Sequence, residues 1–466
     1  MKKLFTLVIF CGLLFQIQRA TAQIDTVSNI PDADKLFGLS KFWEEVSYNF
    51  AYFDHAKINW DSTYRAYIPK VLATQSTWQY YLIMSKFAAL LNDGHTDMGY
   101  VPQLQHKPRY RWLYVENFDK HFYVTDIALQ YKDKVPLGSE IISVDGVPLQ
   151  TYVEDELMPY ICSSTDYVKW NRAASSIFLN FAPDTGQVWH LQLRTPKGKM
   201  ISYNYQYHTY DPKWERRDVI KKTPLLEYKN MGGIVYVKLN SFSEQAIVDS
   251  FKKILPQLYA SKGVILDIRA NSGGDSGIGA DILSYFTSDK MLIGSKWRTR
   301  EHLASFKAWG VGSNVLNSDA YKSWGDFGKK EYLITKGDYW YDGDTSKFAN
   351  YADTAKKITC PLVVLTSNYT ASAAEDFLII LSQLKGRATT IGQRTFGSTG
   401  QPLNVDLPGI KFARVCTKRD TYPDGRDFVG VGVVPDVEIP RDVNDIINGT
   451  DKVLDAAITE LNRKIK

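Results

Sequence analysis

Two residues of this chain stand where covalent chemistry is feasible: Ser372 at the start of a helix, and His95 in a turn far upstream. The stretch Cys360–Gly400 sets the first. Pro361–Thr366 is an apolar run rich in Val and Leu, the pattern of a buried strand. Asn368–Ala371 is small and polar, a turn. Ser372–Lys385 then carries Phe377, Leu378, Ile380, Leu381 and Leu384 at helical spacing, and Gly386 supplies the stop. A serine hydroxyl at such a junction can attack a carbonyl, and the N–H of Ala373, at the positive end of the helix dipole, can hold the oxyanion that forms. The same residues also fit an ordinary device: Ser372 with Glu375 makes the capping box S-x-x-E.

His95 lies in Leu90-Leu91-Asn92-Asp93-Gly94-His95-Thr96-Asp97, a polar corner after a helical segment. Gly94 permits a sharp turn, and Asp93 and Asp97 are close in sequence. A candidate base competes here with a histidine that merely closes a helix C-terminus. A third stretch, Asn271–Gly277, is a glycine-rich turn before a helix. It has neither the Gly-Lys-Ser/Thr of a P-loop nor G-x-G-x-x-G. No His-rich or carboxylate-rich spacing suggests a metal, and no cofactor is expected.

The elements that must position these residues follow from the rest of the chain. Its 466 residues suit two or three domains, and 44% hydrophobic with 23% charged residues is a globular balance. Met1–Ala22 reads as a signal peptide: Lys2 and Lys3, the apolar Leu4–Phe15, and the small Ala20-Thr21-Ala22 before Gln23. The expected location is therefore periplasmic or secreted, with no integral membrane span. Removing Lys2, Lys3 and Arg19 takes the net charge from +5 to +2, which gives no basic case for nucleic acid. Cys162, Cys360 and Cys416 then remain. They are odd in number and far apart, so no disulfide framework is visible, and the last two read as buried thiols.

Residues 23–105 form an N-terminal helical part, with helices over Leu36–Phe53 and Thr77–Asn92. Residues 106–208 are β-rich, with strands at Arg111–Val115, His121–Ile127, Trp189–Thr195 and Lys199–Tyr205. Residues 215–466 alternate strand and helix: strands at Gly233–Lys238 and Gly263–Ile268, a helix at Ile278–Phe286, and strand-like Pro402–Val405, Lys411–Thr417 and Gly430–Val437. An amphipathic helix, Lys452–Lys466, closes the chain. Lys296–Lys357 is a polar, tryptophan-bearing insert without a dominant core pattern, either a wall over a cleft or a decorated surface.

Several blocks in order carry a resemblance. VILDIRANSGG (264–274) is similar to the D-x-R-x-N-x-G-G block of the C-terminal processing, or tail-specific, serine peptidases. TASAAE (370–375), GQRTFGSTGQ (392–401) and DGRDFVGVGVVPDVEI (424–439) follow in the family's order. GSEIISVDGVPL (138–149) resembles the signature of a PDZ-like module, which captures a peptide as an added strand. The resemblance implies Ser372 as nucleophile, Ala373 as one oxyanion donor and the pair Gly273–Gly274 as the other. One branch of the family takes its base from a lysine after T-F-G. Here that position is Ser398, so this dyad is absent. The other branch, similar to the tricorn core peptidase, uses a histidine upstream of the PDZ-like piece, where His95 stands. That branch also has a serine just before its histidine and a glutamate near G-x-G-V-x-P-D. Here these are Gly94 and Val429. Asp93, Asp97, Glu375 and Asp427 are the carboxylates left to orient the ring, and the sequence does not choose among them.

The expectation is thus an α/β fold: a crotonase/ClpP-like serine peptidase core with an N-terminal helical part and a PDZ-like β module. The expected activity is an exported serine-type peptidase that hydrolyses peptide bonds through an acyl-enzyme on Ser372, with His95 as general base. Its partner would be a peptide or protein substrate. The competing expectations on the same fold are a non-catalytic protein that binds peptides or apolar ligands, as the photoreceptor retinoid carrier does, and an acyl-thioester enzyme, against which export argues.

Overall fold

The computed structural model describes residues 29–101, 110–177, 187–208, 210–215, 223–352, 354 and 356–465. The proposed signal peptide, Met1–Ala22, lies outside the described residues.

The centre of the molecule is a six-stranded sheet. Its order is Val437–Glu438, Ala388–Gly392, Leu362–Thr366, Gly263–Asp267, Ile234–Leu239 and Leu226–Met231. All neighbours are parallel except the last pair. Every residue of Gly263–Asp267 and of Leu362–Thr366 is buried. Their unbroken Val/Leu/Ile runs have that cause: a parallel sheet is covered on both faces. On one face Val264, Leu266 and Val364 pack with Phe242, Phe377 and Ile380. On the other, Ile265, Val363 and Leu365 pack against Val453, Ala457 and Leu461 of the C-terminal helix Lys452–Ile465. Burying a side chain such as Leu461 is worth about 1.5–3 kcal/mol, so that helix closes the second face rather than decorating it.

The N-terminal helices Asp32–Asn49, Trp60–Leu72 and Thr77–Ala89 share the core of the first sheet face. Phe42, Trp60 and Phe87 hold them together, with Trp60 stacked on Phe87 at 4.3 Å between centroids. After Thr77–Ala89 the chain turns at Asn92 (φ 49°) and enters the two-residue strand Asp97–Met98, which pairs antiparallel with Ile410–Cys416. The His95 corner is thus fixed at both ends by distant parts of the chain.

The antiparallel module has its own sheet, Leu113–Phe118, His121–Ile127, Glu140–Val144, Trp189–Arg194 and Met200–Tyr205 in that order, and its own core around Trp112, Phe122 and Trp170. The turn at Asp145–Gly146 joins Glu140–Val144 to Val147–Pro148 as the sequence suggests. The helix Asp166–Ser176 belongs to this core and reaches toward the parallel sheet.

Three local readings change. The segment Gly430–Val437 is not a strand: only Val437–Glu438 pairs, and Gly430 and Gly432 have φ near +82°, which bends the chain away from the sheet. The strand Leu226–Met231 has an exposed, charged edge and so shows no apolar signature. The insert is an arm. Met291–Arg300 pairs with Trp340–Ala349 and with Lys418–Thr421, and the helices Ala304–Gly312 and Gly325–Lys336 form its tip. Among the described residues no helix is long and apolar enough to cross a membrane.

Candidate active site

Ser372 follows the carboxyl end of Leu362–Thr366, where hydrogen bonds to the neighbouring strand end fix the turn. Ser367 Oγ donates to the Arg269 carbonyl at 2.6 Å and Thr370 Oγ1 to the Ile268 carbonyl at 3.0 Å. Ser372 itself has φ 55° and ψ −126°, a strained conformation for a side chain with a Cβ. Its N–H donates to the Ser398 carbonyl (3.1 Å) and to Glu375 Oε2 (3.2 Å). Ser372 and Glu375 thus form the capping box of the helix Ala373–Gln383. The Ser372 hydroxyl also lies 3.3 Å from His95 Nε2.

His95 is held through its backbone. Asp93 Oδ2 accepts its N–H at 3.1 Å, and Ser164 Oγ accepts the Gly94 N–H at 2.9 Å. The ring's other nitrogen, Nδ1, lies 2.7 Å from Ser398 Oγ. If Nδ1 carries the proton and donates to that hydroxyl, the lone pair of Nε2 faces Ser372. Burial lowers the imidazole pKa from its ordinary 6.5. Arg414 and Arg172 act the same way, against Asp93 and Asp97. The ring is thus neutral at pH 7, the state a base requires.

None of the carboxylates weighed as orienting groups bonds the ring. Asp93 holds the loop backbone and Asp97 pairs with the Arg414 guanidinium. Asp427 pairs with Arg419 at 3.5 Å. Glu375 acts one step away: completely buried, it accepts from Thr395 Oγ1 (2.5 Å), Gly397 N–H (2.7 Å) and Ser398 N–H (3.0 Å). It therefore fixes the loop that carries Ser398. Burial pushes its carboxyl up to about 8, against those donors.

Ser398 is the residue that sequence reasoning misses, since in the sequence it registers only as an absent lysine. The signal was paired with Gly94. A Cβ at Gly94 would lie 2.9 Å from both Cβ and Oγ of Ser398 and 2.8 Å from the Phe396 ring. Gly94 does not have a positive φ, so it is glycine for space and not for a sharp turn. The sequence thus lacks a hydroxyl beside the histidine at 94 and has one at 398, and the two changes fit each other.

The oxyanion donors also narrow. The Gly273 N–H is donated to Asn271 Oδ1 at 2.9 Å, which removes it from the set. Its bare Cα serves close packing: a Cβ there would meet Ser372 Cβ at 2.7 Å and Ala373 N at 2.9 Å. The remaining donors are the N–H of Gly274 and that of Ala373, the first helical position, for which the helix offers no acceptor.

Ser372 opens onto two clefts. One, about 810 Å³, is lined also by His95, Phe396 and Arg172. The other, about 600 Å³, is lined by Gly274, Gly400, Asp376 and Lys418. Burial works to lower the pKa of Lys418, but Asp420, 3.0 Å away, and Asp376 raise it. Lys418 therefore stays a cation and is unsuited to replace the histidine as base.

Residues 233–439 match the profile of Peptidase family S41. A carboxyl-terminal-processing protease of Picosynechococcus sp. is 22% identical over 93% of this chain and 89% of its own length. A carboxy-terminal-processing protease of Bartonella bacilliformis is 23% identical over 56% of this chain and 52% of its own. The crystal structure of mature CPAF shares the fold, with a TM-score of 0.69 at 18% identity over 93% of this chain and 98% of that one. Residues 233–439 thus match the peptidase core of family S41, and the chain as a whole is similar to the serine peptidases of that family.

Proposed function

We propose that the chain cleaves peptides through an acyl-enzyme on Ser372, with His95 as the general base. The observation that carries this reading is the 3.3 Å approach of His95 Nε2 to Ser372 Oγ across 277 residues of sequence. Nε2 takes the hydroxyl proton as Oγ attacks the peptide carbonyl. The carbonyl oxygen, now anionic, faces the N–H groups of Gly274 and Ala373, and losing one such donor typically costs about 3 kcal/mol in the transition state. The imidazolium then gives its proton to the leaving amine. Water, deprotonated by the same nitrogen, releases the acyl group. Ser398 acts through His95 as a positioning residue, holding the Nδ1 side of the ring.

The antiparallel module is taken as the PDZ-like peptide-capturing part. A cleft of about 860 Å³ between Phe118 and Trp170 of the module and Arg394 of the core shares Tyr369 and Arg441 with the cleft at Ser372, which supports a path for one extended peptide. Read as a leader, Met1–Ala22 would send the mature protein to a periplasmic or extracellular space, which finding Gln23 at the N-terminus of the exported protein would check.

A fluorophosphonate probe tests the catalytic reading. Labelling of the wild type, lost in Ser372→Ala and strongly slowed in His95→Ala, is expected together with loss of peptide hydrolysis. Labelling that persists in Ser372→Ala overturns the assignment.

A further inference from the structure

The cleft beside Ser372 and His95 is lined by five cations, Arg172, Lys238, Arg269, Arg414 and Arg441, and by one carboxylate, Asp267. Four of the cations have acid partners. Arg269 is bonded to Asp267 and Asp451, Arg414 to Asp97, Arg441 to Glu116 at 2.9 Å, and Lys238 to Glu227 at 3.5 Å. Arg172 differs. Among the described residues it has no carboxylate partner. It donates to the Cys162 carbonyl and lies over the Phe396 ring at 4.8 Å.

These contacts fix the guanidinium without neutralising it. Arg172 comes from the helix Asp166–Ser176 of the antiparallel module, and Phe396 from the loop that also carries Ser398. The cation is thus clamped between the two parts of the molecule, on the His95 side of the nucleophile. A half-buried charge is retained at a cost unless something pairs with it, and a guanidinium is built to receive a carboxylate through two parallel N–H donors.

We infer that Arg172 is a specificity residue that pairs with a carboxylate of the bound peptide, within the stretch that lies in the cleft next to the scissile bond. This rests on Ser372 being the site of cleavage. The carboxylate can be an acidic side chain or the α-carboxylate at the end of a short leaving segment, since both offer the same two oxygens.

Two measurements separate this inference from the catalytic reading. The first is binding to Ser372→Ala, which needs no turnover. Peptides matched except for Glu or Gln at single positions, each as free acid and as C-terminal amide, are titrated by fluorescence anisotropy. A peptide carrying the required carboxylate should bind about 10-fold more tightly than its neutral match, as expected for a hydrogen bond to a charged group. In Ser372→Ala/Arg172→Met that ratio should fall toward one, while Ser372→Ala/Arg172→Lys keeps part of it. Discrimination between Glu and Gln indicates a side chain, and discrimination between acid and amide indicates the chain end.

The second measurement is kcat/KM for the same peptides with the wild type and Arg172→Met. Equal binding of all matched pairs overturns the carboxylate site even if hydrolysis is intact. Discrimination in binding without hydrolysis by the wild type upholds the site and overturns the catalytic reading instead. Should Arg172→Met not fold, the wild-type ratio measured at rising salt decides: a ratio that never exceeds one at low salt overturns the inference.

Discussion

The two sides of the candidate site are built in different ways. The serine side is local. A buried strand, a five-residue turn and a helix place Ser372, and Glu375, three residues on, caps the same helix. The histidine side is assembled from far apart. His95 is reached by Ser398 from 303 positions away, and its loop is held by Ser164 and, through Thr96, by Cys416. A local construction tolerates change elsewhere in the chain. An assembled one depends on every distant contact at once, so perturbations should act on the two sides differently.

The largest effects should come from the two reacting groups. Ser372→Ala removes the nucleophile, and a loss in kcat on the order of 10⁶-fold is expected, as when a comparable serine is removed. The helix should survive, because Glu375 still caps the backbone when the serine's half of the capping box is lost. Losing such a cap costs about 0.5–2 kcal/mol, so Tm should fall only modestly. A large fall in Tm would show that the serine, not Glu375, holds the helix start. His95→Ala should lose activity on a similar scale, with the serine side intact.

Glu375 belongs to both sides, so its replacement should hurt stability and activity together. Glu375→Gln places amide hydrogens against donors at Ser372, Thr395, Gly397 and Ser398. Leaving such buried groups unpaired costs about 1–3 kcal/mol each. A clear drop in Tm and roughly 10²-fold lower kcat are expected. The sign of the pH effect also follows. With its carboxyl pushed up from 4.5 to about 8, the folded protein holds a proton that the unfolded chain has lost between those values. Glu375 therefore adds most to stability below about pH 4.5, and its contribution falls as pH rises to 8. Asp420, pushed up to about 7 by burial, acts in the same direction. Unfolding measured across pH 5–8 should show a weaker slope in Glu375→Gln.

This difference between the sides also explains what the sequence revealed. The parallel strands, the turn before Ser372 and the closing helix Lys452–Ile465 each leave a periodic or compositional mark within about fifteen residues. His95 could be singled out because a glycine corner after a helix is also a local pattern. Ser398 could not, since a serine in a polar loop carries no sign of the imidazole 2.7 Å away. Asp93, Asp97 and Glu375 were attractive for their charge, yet their oxygens are taken up by backbone N–H groups and by Arg414. Gly273 stands in a motif that implies a donor, while its N–H is given to the Asn271 side chain. The strand Leu226–Met231 failed for the converse reason, because an exposed edge has no apolar alternation to read.

The pairing of Gly94 with Ser398 gives a sharper test of the assembled side. Ser398→Ala should lower kcat by about 10–10²-fold with little change in KM, because the ring loses its Nδ1 partner and not its reach. Gly94→Ser alone should lower Tm, since its Cβ would sit 2.9 Å from Ser398 Cβ and overpacking of this kind costs about 1–3 kcal/mol. Gly94→Ser/Ser398→Gly removes the clash with Ser398, leaves only the Phe396 ring to give way, and returns a hydroxyl to the histidine's neighbourhood. It should recover part of the Tm and part of the kcat. Recovery of stability without activity would mean that the hydroxyl must approach from the 398 side.

The smallest effect expected is a shift in pH dependence, and it reads the electrostatics of the assembled side directly. Burial, Arg414 and Arg172 together hold the His95 pKa below the ordinary 6.5. Activity should therefore persist below pH 6.5 and fade only as the ring takes up its proton. Arg172→Met removes one of the positive charges that disfavour the imidazolium, so its acid limb of kcat/KM should move to higher pH. Arg172→Lys, which keeps the charge, should leave the limb where it is. Arg414 and Arg172 are the cations that act most on the ring among the described residues. Arg394→Met, a charge removed from an exposed position in the neighbouring cleft, should shift nothing. Acid limbs that moved equally in Arg172→Met and Arg394→Met would show that the site senses net charge only. A limb that moves in Arg172→Met alone identifies the guanidinium over Phe396 as one of the charges that tune the base, beside burial and Arg414.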